Sequence, residues 1–234
     1  KVLEANPNTI VVNNSGSPIS MPWLADAPAV IQTWFAGQEF GCALADILLG
    51  EVNPSGKLPI TFPASLEDTP AFTNYPGEFG KVHYGEGLYV GYRWYSSRSI
   101  QPLFCFGHGL SYTSFEYSAG SIVEQNVDGS VTIEFDLQNS GERLGKETVQ
   151  VYLQALQSVV AKPKLQLACF TKVSLQPGEK RRLRLVLEAE SFAHWDVEKG
   201  NWQREAAAYL IHVAASSNDL KLEVELNYHS GTVD

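Results

Sequence analysis

The 234-residue chain is long enough for one large domain or two ordinary ones, and its composition of 44% hydrophobic and 18% charged residues is typical of globular proteins. The formal net charge is -9 and the longest basic run covers only residues 180–182, which excludes the positive surface that nucleic-acid binding requires. No apolar run approaches the roughly 20 residues of a membrane-spanning helix. We therefore expect a folded, two-domain protein that binds neither nucleic acid nor membrane.

The chain begins with Lys1 instead of methionine, and residues 1–6 resemble the last turn of a helix whose beginning is missing. This pattern predicts an N-terminal truncation, so the compartment stays open between secreted and cytoplasmic. The three cysteines, Cys42, Cys105 and Cys169, are odd in number and widely spaced, which argues against a disulfide framework. We expect them to be buried free thiols.

Two short apolar runs, residues 10–12 and 29–35, predict fully buried strands. A helix is predicted next, because apolar residues recur at helical spacing and Gly50 stands where a C-terminal cap belongs. The apolar stripe of this helix consists of Phe40, Ala43, Leu44, Ile47 and Leu48. Residues 1–75 are therefore predicted to be the C-terminal part of a parallel-sheet α/β domain whose first strands lie outside this sequence.

Glycines and aromatic residues dominate residues 76–113. A flexible linker would be polar, so this segment is predicted to be an ordered strap that packs on its neighbours.

Short alternating runs follow in residues 114–234, at residues 131–138, 149–153, 183–187, 209–214 and 220–226. In the first of them the apolar positions alternate strictly with polar ones, which predicts a half-buried strand. Strands of this kind, separated by turn residues, predict an antiparallel β-sandwich. The predicted fold class is thus α/β followed by all-β.

Four stretches together resemble glycoside hydrolase family 3. They are residues 8–23 (NTIVVNNSGSPISMPW), 34–63 (WFAGQEFGCALADILLGEVNPSGKLPITFP), 84–95 (YGEGLYVGYRWY) and 102–115 (PLFCFGHGLSYTSF). The resemblance implies an α/β sandwich domain followed by a fibronectin type III-like domain, and it is strongest to the β-glucosidase branch. It also implies an upstream catalytic barrel as a partner and a carbohydrate with terminal β-linked glucose as the substrate.

Members of that family are retaining enzymes with an aspartate nucleophile and a glutamate acid/base. Retaining chemistry needs two carboxyl groups roughly 5 Å apart. In the family both residues precede the motif that matches residues 8–23, so the resemblance assigns no catalytic residue to this chain. We therefore expect the isolated chain to be inactive and to act as a scaffold.

Within the chain, the candidates for substrate contact are Glu78, Tyr84 and Glu86, because a Gly- and Tyr-rich segment with carboxylates could face a sugar. Structural packing of the tyrosines is the alternative. For Glu39, which lies in the family's Gly-Gln-Glu motif, a hydrogen bond or ion pair near the helix N-terminus is favoured over catalysis. Packing in the core is expected for Trp34 and Trp195.

The histidines show no metal-ligand spacing, so neither a metal nor any other cofactor is predicted. We expect backbone hydrogen bonds to hold His108 in a tight turn. Two other functions remain open. One is a non-catalytic carbohydrate-binding or adhesion module that uses exposed tryptophans of the sandwich. The other is a degenerate gene fragment, because Ala36, Cys105 and residues 206–208 depart from the family pattern.

Overall fold

The computed structural model describes residues 1–229. In residues 1–75, two parallel strands are preceded by one helix and followed by another. The elements are α1 (Val2–Ala5), β1 (Ile10–Asn13), β2 (Ala29–Gln32) and α2 (Phe40–Leu49), with short 3-10 turns at Leu24–Asp26 and Leu66–Asp68. Strands β1 and β2 pair in parallel, with Ile10 opposite Ala29 and Asn13 opposite Gln32. The predicted parallel α/β unit is confirmed.

The prediction that both strands are fully buried is wrong for the described residues. Ile10 is half exposed and Phe35 is almost fully exposed, whereas only Asn13 of β1 is buried. Strand β2 also ends at Gln32, and the chain turns at Trp34, whose φ is 53°. Two strands and one helix are too few to cover both faces of a parallel sheet, so these apolar side chains remain in contact with solvent.

Helix α2 forms where its apolar periodicity predicts it. Gly50 follows it with a left-handed φ of 77°, and its N–H bonds to the carbonyls of Asp46 and Ile47. Such a left-handed C-cap satisfies carbonyl groups that the helix would otherwise leave unpaired. The carbonyl of Gly50 accepts a hydrogen bond from Arg143 Nη1 at 3.0 Å, which connects this helix end to the second part of the chain.

The predicted strap contains a helix that the sequence pattern did not indicate, α3 (Tyr92–Arg98). Its sequence is rich in aromatic and serine residues, which have only modest helix propensity. Tertiary contacts stabilise it instead, because Tyr95 is buried and the Trp94 indole N–H donates to the carbonyl of Asp68 at 2.9 Å. The helix ends at Ser99, which adopts a left-handed conformation.

The remaining chain forms two antiparallel sheets and a separate hairpin. One sheet has the order β11-β10-β5-β6, the other β3-β4-β7, and β8 pairs with β9 alone. The strands are β3 (Phe115–Gln125), β4 (Val131–Asn139), β5 (Gly145–Ala155), β6 (Gln166–Leu175), β7 (Lys180–Leu187), β8 (Ala193–Asp196), β9 (Asn201–Arg204), β10 (Ala207–Ser216) and β11 (Asp219–Tyr228). The predicted antiparallel sandwich is confirmed, and strands β3, β6, β8 and β9 were missed.

The interior between the two sheets is apolar and includes a group of stacked rings. Phe192 lies parallel to Tyr228 at 4.2 Å between ring centroids and edge-on to Tyr209 at 5.3 Å. Aliphatic side chains from both sheets surround these rings, among them Ile133, Leu137, Val151, Leu187 and Ile211. Burial of this apolar surface is the main stabilising contribution to the sandwich.

Strand β4 is more deeply buried than its alternating pattern predicts. Thr132 and Asp136, which were expected to face solvent, are both buried. The strand is central in its sheet, so long side chains of β7 cover its outer face. Arg182 Nε bonds to Asp136 at 2.7 Å and Lys180 Nζ lies 2.9 Å from it, and these donors lower the pKa of Asp136 to about 2.

The contact between strap and sandwich generates a first prediction. Gly107 has a φ of 80°, and a Cβ built there would lie 2.2 Å from Gln150 Oε1 on β5. Gln150 is buried and donates to the Ala215 carbonyl at 2.9 Å, so its amide cannot move away freely. Gly107→Ala should therefore displace either the Gln150 amide or the strap, in addition to straining the backbone. We expect faster amide hydrogen exchange across residues 92–109 and a lower free energy of unfolding in urea.

Gly80→Ala is the matched control. Gly80 has a similar φ of 72°, but nothing lies within 4 Å of its built Cβ. The two variants could instead lose the same free energy of unfolding and show the same amide hydrogen exchange. Backbone strain alone would then explain the loss of stability, and the close contact with Gln150 would be irrelevant.

Candidate functional site

Residues 75–91, here named the arm, form a series of turns that contains the predicted site residues. Glu78 and Lys81 exchange two backbone hydrogen bonds of 3.0 Å, which closes a tight turn. This turn requires Gly77, because its φ is 87° and a built Cβ would lie 2.1 Å from the Lys81 carbonyl oxygen. The first turn of the arm is therefore closed by backbone hydrogen bonds and depends on a glycine.

The three candidate residues lie in two different turns of the arm. Glu78 is exposed in the first turn. Tyr84 and Glu86 share the second turn, in which Gly87 N–H donates to the Tyr84 carbonyl at 3.3 Å and Tyr89 N–H donates to the Glu86 carbonyl at 3.0 Å. The structure thus brings Tyr84 and Glu86 together and places Glu78 separately.

The side chains of these residues differ in their surroundings. The Tyr84 ring is 83% exposed, so it does not pack against the described residues. Glu86 is partly buried, and its Oε2 atom is covered without any hydrogen-bond partner among residues 1–229. A covered carboxylate oxygen without a donor is costly, and among residues 1–229 nothing offsets this cost at Glu86.

The arm presents a largely apolar surface. Its exposed apolar and aromatic side chains are Tyr75, Phe79, Val82, Tyr84, Leu88 and Val90. A concentration of exposed apolar side chains in one segment favours a contact with another molecule or another part of a protein.

Aromatic packing at the start of α3 anchors the arm to the sandwich. The Tyr92 ring stacks on Phe106 at 5.0 Å and lies edge-on to Tyr152 of β5 at 5.6 Å. Its hydroxyl accepts a hydrogen bond from the Leu167 N–H at 2.8 Å. The end of the arm is therefore fixed to the sheet that contains β5 and β6.

A buried ion pair forms a second connection, which sequence reasoning missed. Lys57 Nζ lies 3.1 Å from Glu147 Oε1 of β5, and their side chains are only 13% and 6% exposed. The Tyr117 hydroxyl of β3 donates to the same oxygen at 3.1 Å. Burial, followed by the charge of Glu147, raises the pKa of Tyr117, so its hydroxyl stays protonated as a donor.

His108 lies beside this pair in a backbone-bonded turn, as predicted. Its N–H donates to the Cys105 carbonyl at 3.1 Å, and its own carbonyl accepts from Leu58 N–H at 2.8 Å. The ring stacks on Phe104 at 5.1 Å. Burial first, and then the Lys57 ammonium, lower the pKa of His108, so the imidazole is neutral near pH 7.

The structure also places Glu39 and five carboxyl groups of the sandwich. Glu39 precedes α2, but its side chain caps no backbone N–H and pairs with no cation among the described residues, so its predicted hydrogen bond or ion pair is wrong. In the sandwich, hydrogen bonds lower the pKa of five carboxyl groups, Asp128, Asp136, Glu179, Asp196 and Glu205. A general acid needs a raised pKa, so these five groups are structural anions.

Two further predictions about buried residues need correction. Trp195 was expected in the core, but its ring is half exposed, because it lies on the separate β8–β9 hairpin. Trp34 is partly buried and lies 5.8 Å from the Phe62 ring. The three cysteines are free, and of them Cys42 is exposed on α2, contrary to expectation, whereas Cys105 is buried.

Within the described residues, His, Cys, Asp and Glu side chains form no group of three or more that could hold a metal ion. None of the helices in residues 1–229 has the length and apolar character that crossing a membrane would require.

Comparison with protein families identifies both parts of the chain. The Glycosyl hydrolase family 3 C-terminal domain matches residues 1–112, and the Fibronectin type III-like domain matches residues 147–217. A beta-glucosidase of Kluyveromyces marxianus is 45% identical over 221 residues, which are 94% of this chain and 26% of that protein. Thermostable beta-glucosidase B of Acetivibrio thermocellus is 42% identical over 98% of this chain and 31% of its own length.

The solved structures that superimpose on this chain are also beta-glucosidases. The beta-glucosidase of Kluyveromyces marxianus in complex with glucose superimposes with a TM-score of 0.93 at 44% identity, over 98% of this chain and 27% of that one. Beta-glucosidase 3B of Thermotoga neapolitana in complex with glycerol superimposes with a TM-score of 0.87 at 38% identity. The match covers 94% of this chain and 31% of the Thermotoga neapolitana chain. The chain thus spans between a quarter and a third of the length of these relatives. It belongs to glycosyl hydrolase family 3, of which it carries the C-terminal domain followed by a fibronectin type III-like domain.

Proposed function

We propose that this chain is the scaffold portion of a retaining β-glucosidase that removes terminal β-linked glucose. The observation that carries the proposal is the 45% identity to the Kluyveromyces marxianus beta-glucosidase across both parts of the chain. The relatives are about three to four times longer, which supports a partner polypeptide that precedes this region and supplies the chemistry.

The chain alone is proposed to be inactive. Retaining hydrolysis needs a nucleophilic carboxylate and an acid/base carboxyl roughly 5 Å apart on either side of the sugar. The resemblance to the family assigns neither group to residues 1–234. The five sandwich carboxyls with lowered pKa values cannot serve as the acid, because they are ionised near neutral pH.

We also propose a division of the chain into three segments. Residues 1–75 complete an α/β domain, residues 76–113 are the strap, and residues 114–234 are the fibronectin type III-like domain. The exposed Ile10 and Phe35 are apolar surface that the preceding polypeptide would cover. The Lys57–Glu147 pair and the Tyr92 ring would then hold that assembly against the sandwich.

Within this assembly we propose that the arm faces the substrate. The exposed Tyr84 ring offers a stacking surface for a sugar, and the uncovered carboxylate oxygen of Glu86, Oε1, offers an acceptor for a sugar hydroxyl. Glu78 lies in the neighbouring turn of the same arm. The role of these three residues is to position the substrate.

A chimera tests the proposed function. In it, this chain replaces the matching C-terminal region of the Kluyveromyces marxianus enzyme. We expect the chimera to hydrolyse an aryl β-glucoside with a kcat within about tenfold of the parent, because the scaffold contacts are retained. The 234-residue chain alone should show no hydrolysis above background.

The control is the parent enzyme truncated before this region, which we expect to be insoluble or inactive. Hydrolysis by the isolated chain would contradict the proposal. A chimera that folds but lacks activity would favour the degenerate-fragment alternative.

The arm is tested by Glu86→Gln in the active chimera. The amide keeps the shape but weakens acceptance of a hydrogen bond from a sugar hydroxyl, so KM should rise about tenfold while kcat changes less. Glu67→Gln, which removes an exposed charge from the 3-10 turn before the arm, should leave both constants unchanged. An unchanged KM in Glu86→Gln would remove Glu86 from the substrate site.

A further inference from the structure

The hairpin of β8 and β9 stands apart from the two sheets of the sandwich. It is attached at both ends, because Phe192 precedes it in the core and the Arg204 guanidinium, at its end, donates to the carbonyl of Asp128. Between these anchors, Trp195 and Trp202 are cross-strand partners. The hairpin is therefore a fixed element that holds two indole rings at one end of the sandwich.

The two indole rings are unusually exposed for their size. Their centroids are 5.7 Å apart and their planes meet at 77°, yet Trp195 is 50% and Trp202 is 63% exposed. Val197 on the same hairpin is also exposed. The cross-strand contact stabilises the hairpin but leaves about half of each ring in water, and exposed apolar surface of this size marks a binding site.

Three polar side chains of the hairpin, Asp196, Lys199 and Gln203, form bonds within the hairpin and do not cover the indole rings. Asp196 Oδ1 accepts hydrogen bonds from the N–H groups of Glu198 and Lys199, at 3.0 and 3.1 Å. Lys199 Nζ in turn lies 3.3 Å from Asp196 Oδ2 and 3.2 Å from Gln203 Oε1. Since successive side chains of a strand point to opposite faces, Asp196 and Gln203 lie on the face opposite the tryptophans.

We propose that Trp195 and Trp202 form a binding site for a neutral β-linked glucan chain. The C–H face of a pyranose is apolar and flat, so it stacks on an indole face, and the nearly perpendicular second ring forms a wall beside it. A neutral ligand fits because Asp196 and Lys199 of the hairpin pair with each other, and the net charge of -9 disfavours an acidic polymer. This site goes beyond the proposed scaffold function, since it needs no catalytic carboxylate.

Titration of the 234-residue chain with cellotetraose tests the proposal, with the indole N–H signals in NMR spectra as the readout. We expect saturable shifts of the Trp195 and Trp202 signals with a Kd of about 1 mM, as for a ligand held by one or two stacked rings. Trp23, Trp34 and Trp94 serve as internal references and should not shift. Trp202→Ala should weaken binding at least tenfold.

Two variants separate binding from hairpin stability. Trp202→Phe keeps a cross-strand aromatic pair, so the hairpin stays formed, but the smaller ring should weaken binding about threefold. Phe170→Ala removes another exposed aromatic ring, on β6, and should leave binding unchanged. The proposal is overturned by a lack of shifts up to about 10 mM ligand. The proposal is also overturned if Phe170→Ala loses as much affinity for cellotetraose as Trp202→Ala. Concentration-dependent self-association that Trp202→Ala abolishes would overturn it as well.

Discussion

Among the described residues, Lys57 and Glu147 form the one ion pair that joins the α/β part to the sandwich, beside hydrogen bonds such as that from Arg143 to the Gly50 carbonyl. The side chains of this pair are almost completely removed from water, and the Lys57 ammonium also donates to the Gly109 carbonyl at 3.4 Å. Removal of one partner would leave an uncompensated charge in a region of low polarity, which is strongly destabilising. The α/β part and the sandwich therefore cannot slide past each other without breaking this pair.

This constraint extends to the arm. The strap leaves the α/β part, forms the arm, and returns along β5, where Gly107 lies against Gln150 and the Gln150 amide donates to the Gly107 carbonyl at 3.4 Å. Both ends of the arm are thus attached to elements that the Lys57–Glu147 pair holds together. A rigid scaffold of this kind supports precise positioning of groups that contact a substrate, which is the role proposed for Tyr84 and Glu86.

Sequence patterns predicted helix α2 correctly, because its shape depends on neighbouring residues. They failed for residues whose burial depends on partners far away in the sequence. Helix α2 and its Gly50 cap follow directly from periodicity. Strand β3 was missed because Ala119 adopts a φ of 55° and the register shifts there, which interrupts the alternation. For Glu147 the pattern shows only a polar strand residue, and its burial results from Lys57, 90 residues earlier. Likewise, Trp195 lies in a hairpin outside the sheets, which no short motif reveals.

A double-mutant cycle on Lys57 and Glu147 tests the central claim most directly. Lys57→Met, Glu147→Gln and the double variant would be unfolded in urea, with amide hydrogen exchange recorded across residues 92–109. The account predicts that Lys57→Met alone costs about 3–5 kcal/mol. It also predicts a coupling energy above about 1 kcal/mol and faster exchange in the strap of each single variant. Additive effects with unchanged exchange would contradict it, because the two parts would then be held together without this pair.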